Sequence, residues 1–253
     1  MKLVNLDELI IGEGRPKICV PIVAKNLEEA NSQASEIANL SADLIEIRGD
    51  YFEQYFDSKY VINLIHEVKL ITNRPVIYTF RTGREGGEKE IETEEYVSLL
   101  KDVIESKEPE LIDIELFTGE KEVEELTKLA HANGVKVVLS NHDFEKTPHK
   151  KEIYARLKKM EEAGADIAKI AVMPKEQYDV NKLLDATTMA FFDMDIPIVT
   201  MSMGKIGAIS RISGEVFGSA ITFGTVGKAS APGQINVDDL SYMLEVIHRQ
   251  CVK

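Results

Sequence analysis

The chain has 253 residues, of which 44% are hydrophobic, and it carries a formal net charge of −13 at pH 7. This length and composition fit one large domain with a substantial core and exclude wholesale disorder. The negative charge argues against nucleic acid or an anionic membrane as the main partner, but leaves room for a small anionic ligand where cations cluster.

Two further features of the sequence indicate the cellular compartment. Cys19 and Cys251 lie at opposite ends of the chain without a C-x-x-C spacing, which predicts free thiols rather than disulfides or a zinc cage. The N-terminus lacks the long apolar run of a signal peptide, and no apolar segment approaches the length of a membrane span. We therefore expect a cytoplasmic protein without a membrane partner.

Short apolar segments alternate with amphipathic segments of helical period along most of the chain. Residues 1–16 precede this alternation, and segments 2–6 and 8–11 could pair there as a small hairpin. The predicted strands that follow are 17–23, 43–48, 75–81, 111–116, 135–142, 166–173, 196–203 and 219–224.

The amphipathic segments have recognisable helix ends. Asn26 and Asp57 are placed to cap the first two helices, and Thr147 followed by Pro148 resembles a cap and first-turn pair for the fifth. The predicted helices are 27–40, 57–71, 93–106, 120–133, 147–164, 175–193, a shorter one over 206–216, and 236–250.

Eight strands alternating with eight helices predict a (β/α)8 TIM barrel with a short N-terminal β-hairpin, formed by a single domain over residues 1–253. An open dinucleotide-binding sheet is the alternative. No Gly-x-Gly-x-x-Gly turn follows the first strand, which weakens that alternative.

Ionisable residues recur where the predicted strands end, which is where such a barrel places its active site. One inward charge could be structural, but seven convergent ones indicate a catalytic interior. These seven residues are Glu46, Arg48, Arg81, Asp113, Glu115, His142 and Lys169.

Lys169 is the one charge in a strand that is apolar on both faces. A buried ammonium must find a counter-charge or lose its proton. A lone lysine of this kind would more often form a buried salt bridge. The alternative is an amine that attacks a carbonyl to form a Schiff base.

Other groups in this region have predicted supporting roles. Asp113 and Glu115 are interpreted as counter-charges that hold Lys169 and the arginines in place. A single inward histidine without a H-x-x-x-H or cysteine cluster argues against a metal. Two glycine-rich loops, 201–211 and 224–234, follow the last two strands; the first brings Arg211, and the second is predicted to act as a mobile lid.

The order and spacing of several short motifs resemble the type I 3-dehydroquinate dehydratase family, the Schiff-base class, over essentially the whole chain. The motifs are Glu46-Ile-Arg48, Thr79-Phe-Arg81 with Glu85-Gly-Gly, Ser140-Asn-His142-Asp-Phe144, Ala168-Lys169-Ile170-Ala-Val-Met173-Pro, Met201-Ser-Met203-Gly, Ser210-Arg211, Gly214-Glu-Val-Phe-Gly-Ser219, Phe223-Gly and Ala229-Ser230-Ala-Pro-Gly-Gln234. The resemblance implies a barrel with an N-terminal hairpin, a homodimer, and neither metal nor organic cofactor.

The implied activity is that of a hydro-lyase in the shikimate pathway, which dehydrates 3-dehydroquinate to 3-dehydroshikimate for aromatic amino acid biosynthesis. Lys169 would form the Schiff base, His142 would act first as base and then as acid, and Glu85 would orient His142. Neighbouring Arg48 and Arg81 are expected to lower the pKa of Lys169.

The resemblance also implies a substrate-binding set. Arg211 would hold the substrate carboxylate, and the remaining polar contacts would come from Glu46, Arg48, Arg81, Ser230 and Gln234. Apolar walls would be formed by Phe144, Met201, Met203 and Phe223. Members often carry a serine where this chain has Pro21, which predicts the loss of a minor polar contact.

Two other functions compete with this interpretation. A Schiff-base aldolase acting on sugar phosphates would need more backbone-rich phosphate loops and fewer arginines on the second and third strands. A non-catalytic, ligand-sensing relative of the same barrel would have no need of Lys169, His142 and Glu85 together.

Overall fold

A small antiparallel hairpin opens the chain and closes one end of a barrel. In the computed structural model, which describes residues 3–227 and 230–252, strands β1 (Val4–Leu6) and β2 (Leu9–Ile11) pair as predicted. Lys2, which the predicted hairpin includes, lies outside the described residues. Leu6 and Ile11 are buried in one apolar cluster with the first residues of several barrel strands, among them Leu44, Leu111 and Ile167.

The eight predicted strands form a parallel sheet that curls into a barrel. They are β3 (Lys17–Ile22), β4 (Leu44–Arg48), β5 (Val76–Thr79), β6 (Leu111–Glu115), β7 (Lys136–Asp143), β8 (Ile167–Val172), β9 (Ile198–Ser202) and β10 (Ile221–Thr225). Each pairs with the next from β3 to β9, and β10 pairs with β3. A parallel bridge between Ile198 and Ser219 joins the remaining edges. The (β/α)8 barrel with its N-terminal hairpin is thereby confirmed.

Helices surround this barrel. They are α1 (Leu27–Ile37), α2 (Ser58–Thr72), α3 (Thr93–Ser106), α4 (Glu120–Asn133), α5 (Lys150–Glu162), α6 (Gln177–Asp193), α7 (Ala208–Ile212), α8 (Gly214–Phe217) and α9 (Val237–Cys251), and a short strand β11 (Ile235–Asn236) pairs with β10. Asn26 and Asp57 cap α1 and α2 as predicted. The predicted helix over 206–216 is divided at Ser213, whose backbone leaves the helical conformation.

The predicted cap of the fifth helix is wrong. The Thr147 hydroxyl donates to the carbonyl oxygen of Met173 at 3.0 Å, just beyond the end of β8. Helix α5 begins only at Lys150, where His149 is the N-cap and its Nδ1 accepts from the backbone N–H of Lys151. The Thr147–Pro148 segment therefore ties the loop to a neighbouring strand instead of opening the helix.

The two faces of each barrel strand differ in what they bury. On β8, Ala168, Ile170 and Val172 belong to the apolar cluster between strands and helices, while Ile167 and Ala171 face the barrel interior with Lys169. The alternation directs charged side chains inward on several strands. Among residues 3–227 and 230–252, no helix combines the length and apolar character required to cross a membrane.

Candidate active site

Every predicted catalytic or substrate-binding residue lines one cleft with ≈ 480 Å³ of empty space, at the carboxyl ends of the strands. These residues are Glu46, Arg48, Arg81, Glu85, His142, Phe144, Lys169, Met201, Met203, Arg211, Phe223, Ser230 and Gln234. Pro21 is buried on β3 opposite Glu46 and does not line the cleft. Ala229, part of the last motif, lies outside the described residues.

Lys169 is 5% exposed and lies between two carboxylates. Its Nζ is 3.1 Å from Oε1 of Glu46 and 3.1 Å from Oδ2 of Asp113, and it stands 4.7 Å from the centroid of the Phe223 ring. Burial by itself lowers the pKa of the ammonium, but the two carboxylates outweigh burial and raise the pKa above its ordinary value.

The expectation that neighbouring arginines lower the pKa of Lys169 is therefore wrong in its net result. Arg81 does act in that direction, yet its charge is compensated by carboxylates of its own. Arg48 is likewise paired, with Asp50. The resting amine is consequently a protonated, ion-paired ammonium.

Arg81, two residues after the end of β5, contacts three carboxylates, of which Asp113 and Glu115 lie on β6. It lies 2.8 Å from Asp113, 3.0 Å from Glu115 and 3.4 Å from Glu85, and it also donates to Oγ of Ser140 at 3.1 Å. Burial disfavours the charged guanidinium, but these carboxylates reverse that effect and raise its pKa well above the ordinary value. The predicted contacts of Asp113 and Glu115 as counter-charges are confirmed for Lys169 and Arg81, whereas the counter-charge of Arg48 is Asp50.

Asp50 is a site residue without a predicted role. It has no exposed surface, and its two carboxylate oxygens accept from Nε and Nη2 of Arg48 at 2.8 and 2.7 Å. It also accepts from the backbone N–H groups of Arg81 and Glu88. The signal available in the sequence is an aspartate two residues after an arginine that ends a barrel strand.

His142 and Glu85 form a hydrogen-bonded pair in the cleft. Nδ1 of His142 lies 3.0 Å from Oε2 of Glu85, and the same oxygen accepts from the backbone N–H of His142 at 2.9 Å. Glu85 ends a 3-10 turn (Gly83–Glu85) that Gly86 terminates with a φ of 80°. A side chain at Gly86 would also collide with the Phe144 ring, so glycine is required there.

Burial governs the ionisation of this pair. It raises the pKa of Glu85 to about 7, although Arg81 opposes the change. It lowers the pKa of His142 well below its ordinary value, and Arg81, Lys169 and Arg48 add to this. The neutral imidazole therefore donates from Nδ1 to Glu85 and leaves Nε2 free to take a proton.

Arg211 lacks a counter-ion in the described part of the chain. Its Nη2 donates to the carbonyl oxygen of Pro232 at 3.1 Å, while Nε and Nη1 are buried there without a hydrogen-bond partner. Burial lowers the pKa of this guanidinium to about 10. An unsatisfied buried guanidinium facing a cleft fits an anionic group of a ligand.

The loop after β10 covers the cleft beside Arg211. The backbone N–H of Ser230 donates to Oε1 of Gln234 at 2.8 Å, and Nε2 of Gln234 donates to Oγ of Ser230 at 3.0 Å. Nη1 of Arg48 donates to the carbonyl oxygen of Ser230 at 3.4 Å. Two arginines thus contact the main chain of this loop.

A (β/α)8 barrel with a buried lysine and a histidine–glutamate pair at the carboxyl end of its sheet has the architecture of a barrel enzyme, with its ionisable groups where such enzymes place their active sites. A family model described as type I 3-dehydroquinase matches residues 18–251. This chain belongs to the type I 3-dehydroquinase family.

Individual relatives cover nearly the whole chain. The 3-dehydroquinate dehydratase of Bacillus licheniformis is 50% identical over 250 residues, which are 98% of each chain, and that of Clostridium novyi is 48% identical over 98% of this chain and 99% of its own. The crystal structure of type I 3-dehydroquinate dehydratase from Clostridium difficile with covalently modified comenic acid superposes with a TM-score of 0.95 at 45% identity, covering 98% and 99% of the two chains.

Proposed function

We propose that this chain dehydrates 3-dehydroquinate to 3-dehydroshikimate, a step of the shikimate pathway, through a Schiff base on Lys169. The observation that carries the proposal is the common cleft of Lys169, the His142–Glu85 pair and the uncompensated Arg211. Membership of the type I 3-dehydroquinase family supports the choice of substrate.

Formation of the Schiff base begins with loss of the Lys169 proton. Glu46 and Asp113, each 3.1 Å from Nζ, are the carboxylates in contact that can accept it. The neutral amine adds to the ring ketone, and the carbinolamine hydroxyl then takes up the proton that the carboxylate accepted and leaves as water. The resulting iminium withdraws electrons from the neighbouring carbon more strongly than the ketone does, which acidifies the α-proton.

His142 performs the proton transfers. Its Nε2 takes the α-proton to give an enamine, while Glu85 stabilises the transient imidazolium through Nδ1. The enamine expels the β-hydroxyl, which leaves as water with the proton that His142 carries. Hydrolysis of the product iminium then releases 3-dehydroshikimate and restores Lys169, so protons and electrons balance over the cycle.

Substrate orientation falls to the remaining residues of the cleft. Nε and Nη1 of Arg211 offer two donors for the substrate carboxylate. Arg48 and Glu46 reach the cleft from β4, Arg81 from the segment after β5, and Ser230 and Gln234 from the covering loop. These polar side chains would contact the substrate's oxygen atoms. Water is excluded by apolar walls from Phe144, Met201, Met203 and Phe223.

An absorbance assay separates this function from its rivals. Addition of 3-dehydroquinate should produce the ultraviolet absorbance of a conjugated enone. Cleavage of a sugar phosphate without enone formation would favour an aldolase. Binding of 3-dehydroquinate without turnover would favour a ligand sensor and contradict the proposal.

We further propose that the chain forms homodimers in the cytoplasm. Helix α8 packs against α6 and α9, and these three helices expose Phe192, Val216 and Tyr242, large apolar side chains of the kind that a second copy covers. Light scattering should give twice the chain mass, and Phe192→Glu should reduce the measured mass; a monomeric wild type would refute this.

The free cysteines Cys19 and Cys251 support the proposed location in the cytoplasm, where thiols stay reduced. Cell fractionation would test this location.

A further inference from the structure

Asn141 links the Glu85–His142 pair to the helical layer outside the barrel. It lies on β7 between the inward-facing Ser140 and His142 and is 4% exposed. Its Nδ2 donates to Oε1 of Glu85 at 3.1 Å, and its Oδ1 accepts from Nη1 of Arg156 on α5 at 2.8 Å. The side-chain amide of Asn141 therefore connects the Glu85 carboxylate in the cleft to the Arg156 guanidinium on α5.

Arg156 determines which way this amide faces. A guanidinium can only donate, so it must meet the amide oxygen, and the amide NH₂ is then left to face Glu85. The reversed amide would point its oxygen at the carboxylate and its NH₂ at the guanidinium. Arg156 is held by a salt bridge to Glu152, by Asp143 at 3.9 Å and by the Phe117 ring at 5.8 Å.

The two oxygens of Glu85 have separate partners. Oε2 accepts hydrogen bonds from His142 and, at 3.4 Å, from Arg81. Among the described residues, Oε1 accepts one hydrogen bond, from Asn141. The other charged groups near Glu85 are the carboxylates Asp113 and Glu115, which disfavour its ionisation. The Asn141 bond acts in the opposite direction and favours the charged form.

We propose that Asn141 and Arg156 are positioning residues that hold Glu85 as a charged, correctly turned acceptor for His142, so that helix α5 helps to set the pH range of the site. This inference rests on the proposed dehydration. Loss of the Asn141 bond leaves Glu85 protonated to a higher pH. The acidic limb of the activity profile, which reports the Glu85–His142 pair as a unit, then moves to higher pH.

The test is the pH dependence of kcat/KM for Asn141→Leu and Arg156→Met with 3-dehydroquinate as substrate. The acidic limb should move up by roughly one to two pH units in Asn141→Leu, the size expected for one hydrogen bond to a charged group, and by less in Arg156→Met. Lys159→Met is the matched control. It removes a cation from the same helix, but Lys159 pairs with the exposed Glu120 instead of a residue of the cleft. Its profile should coincide with that of the wild type.

A further control separates positioning from folding. In the double variant Asn141→Leu/Arg156→Met the limb should lie where Asn141→Leu alone places it, because Arg156 acts through Asn141. Equal loss of kcat/KM at every pH in both single variants would show a structural role only and overturn the proposal. Should Asn141→Leu fail to fold, Arg156→Met carries the test, since its side chain is 19% exposed. An inactive wild type would instead refute the proposed function.

Discussion

Nζ of Lys169 and Nη2 of Arg81 are bound to the two oxygens of one carboxylate, Asp113, at 3.1 and 2.8 Å. Asp113 has no exposed surface, and it also accepts from Oγ of Ser140 at 2.6 Å. The two cations hold the pKa of Asp113 below its ordinary value against the opposing effect of burial. A single buried anion thus supports two positive charges, one on β8 and one just after β5.

Asp113→Ala should destabilise the protein strongly. Removing one partner of a buried ion pair leaves uncompensated charge and commonly costs about 3–5 kcal/mol. Asp185→Ala is the matched control, because Asp185 pairs with Lys150 on the surface, where the side chains are 62% and 41% exposed. Its effect should stay within about 1 kcal/mol. Urea unfolding measures both, and equal effects would contradict the support assigned to Asp113.

Ionisation of Glu85 should lower the free energy of unfolding as the pH rises. Its pKa is raised from 4.5 to about 7 by burial, so between these values the folded state binds more protons than the unfolded chain. By linkage, the contribution of Glu85 to the free energy of unfolding falls by up to about 3 kcal/mol as the pH increases through this window. Glu85→Gln removes the titrating group. The difference in unfolding free energy between variant and wild type should therefore change across this pH window; a constant difference would contradict the raised pKa.

Arg211→Ala should weaken substrate binding. The guanidinium is buried and has two donors without partners in the described residues, so a carboxylate bound there would form a desolvated charged contact. Loss of such a contact typically costs about 2–5 kcal/mol. Michaelis constants for 3-dehydroquinate measure the effect, and Arg84→Ala, at a more exposed arginine outside the cleft, is the control. Unchanged KM and kcat in Arg211→Ala would place the carboxylate elsewhere.

Asp50→Asn should misalign Arg48. The carboxylate holds both Nε and Nη2 of Arg48, and an amide can accept from only one of them. We expect KM to rise more than kcat falls, because the change acts through Arg48, which is proposed to bind the substrate. Asp43→Asn is the control, since Asp43 also accepts a backbone N–H, from Ile18 at the opposite end of the barrel. A parallel loss in both variants would indicate general destabilisation.

Much of the fold is readable from the sequence because parallel barrel strands are apolar on both faces. Segments such as 166–173 stand out for that reason, and β8 (Ile167–Val172) lies within it. Period-two alternation also placed Lys169 and His142 inward. The contact of Glu85 with His142, 57 residues away, was expected only from the family resemblance.

Features that depend on tertiary contacts could not be predicted in this way. The Thr147 hydroxyl bonds to a carbonyl 26 residues away, which no local capping pattern reveals. The direction of the Lys169 pKa shift depends on which carboxylates reach Nζ. Asp50 was missed because its partners include two backbone N–H groups that only the folded loop brings together.

Borohydride trapping tests the central role of Lys169 most directly. Reduction in the presence of 3-dehydroquinate should leave a permanent adduct, located by mass spectrometry on the peptide that contains Lys169, and Lys169→Ala should show neither adduct nor turnover. His142→Ala retains the amine and should still be trapped, while its turnover falls by a factor of about 10²–10⁴ or more through loss of proton transfer. An adduct on another lysine, or near-normal turnover of Lys169→Ala, would contradict the Schiff-base mechanism.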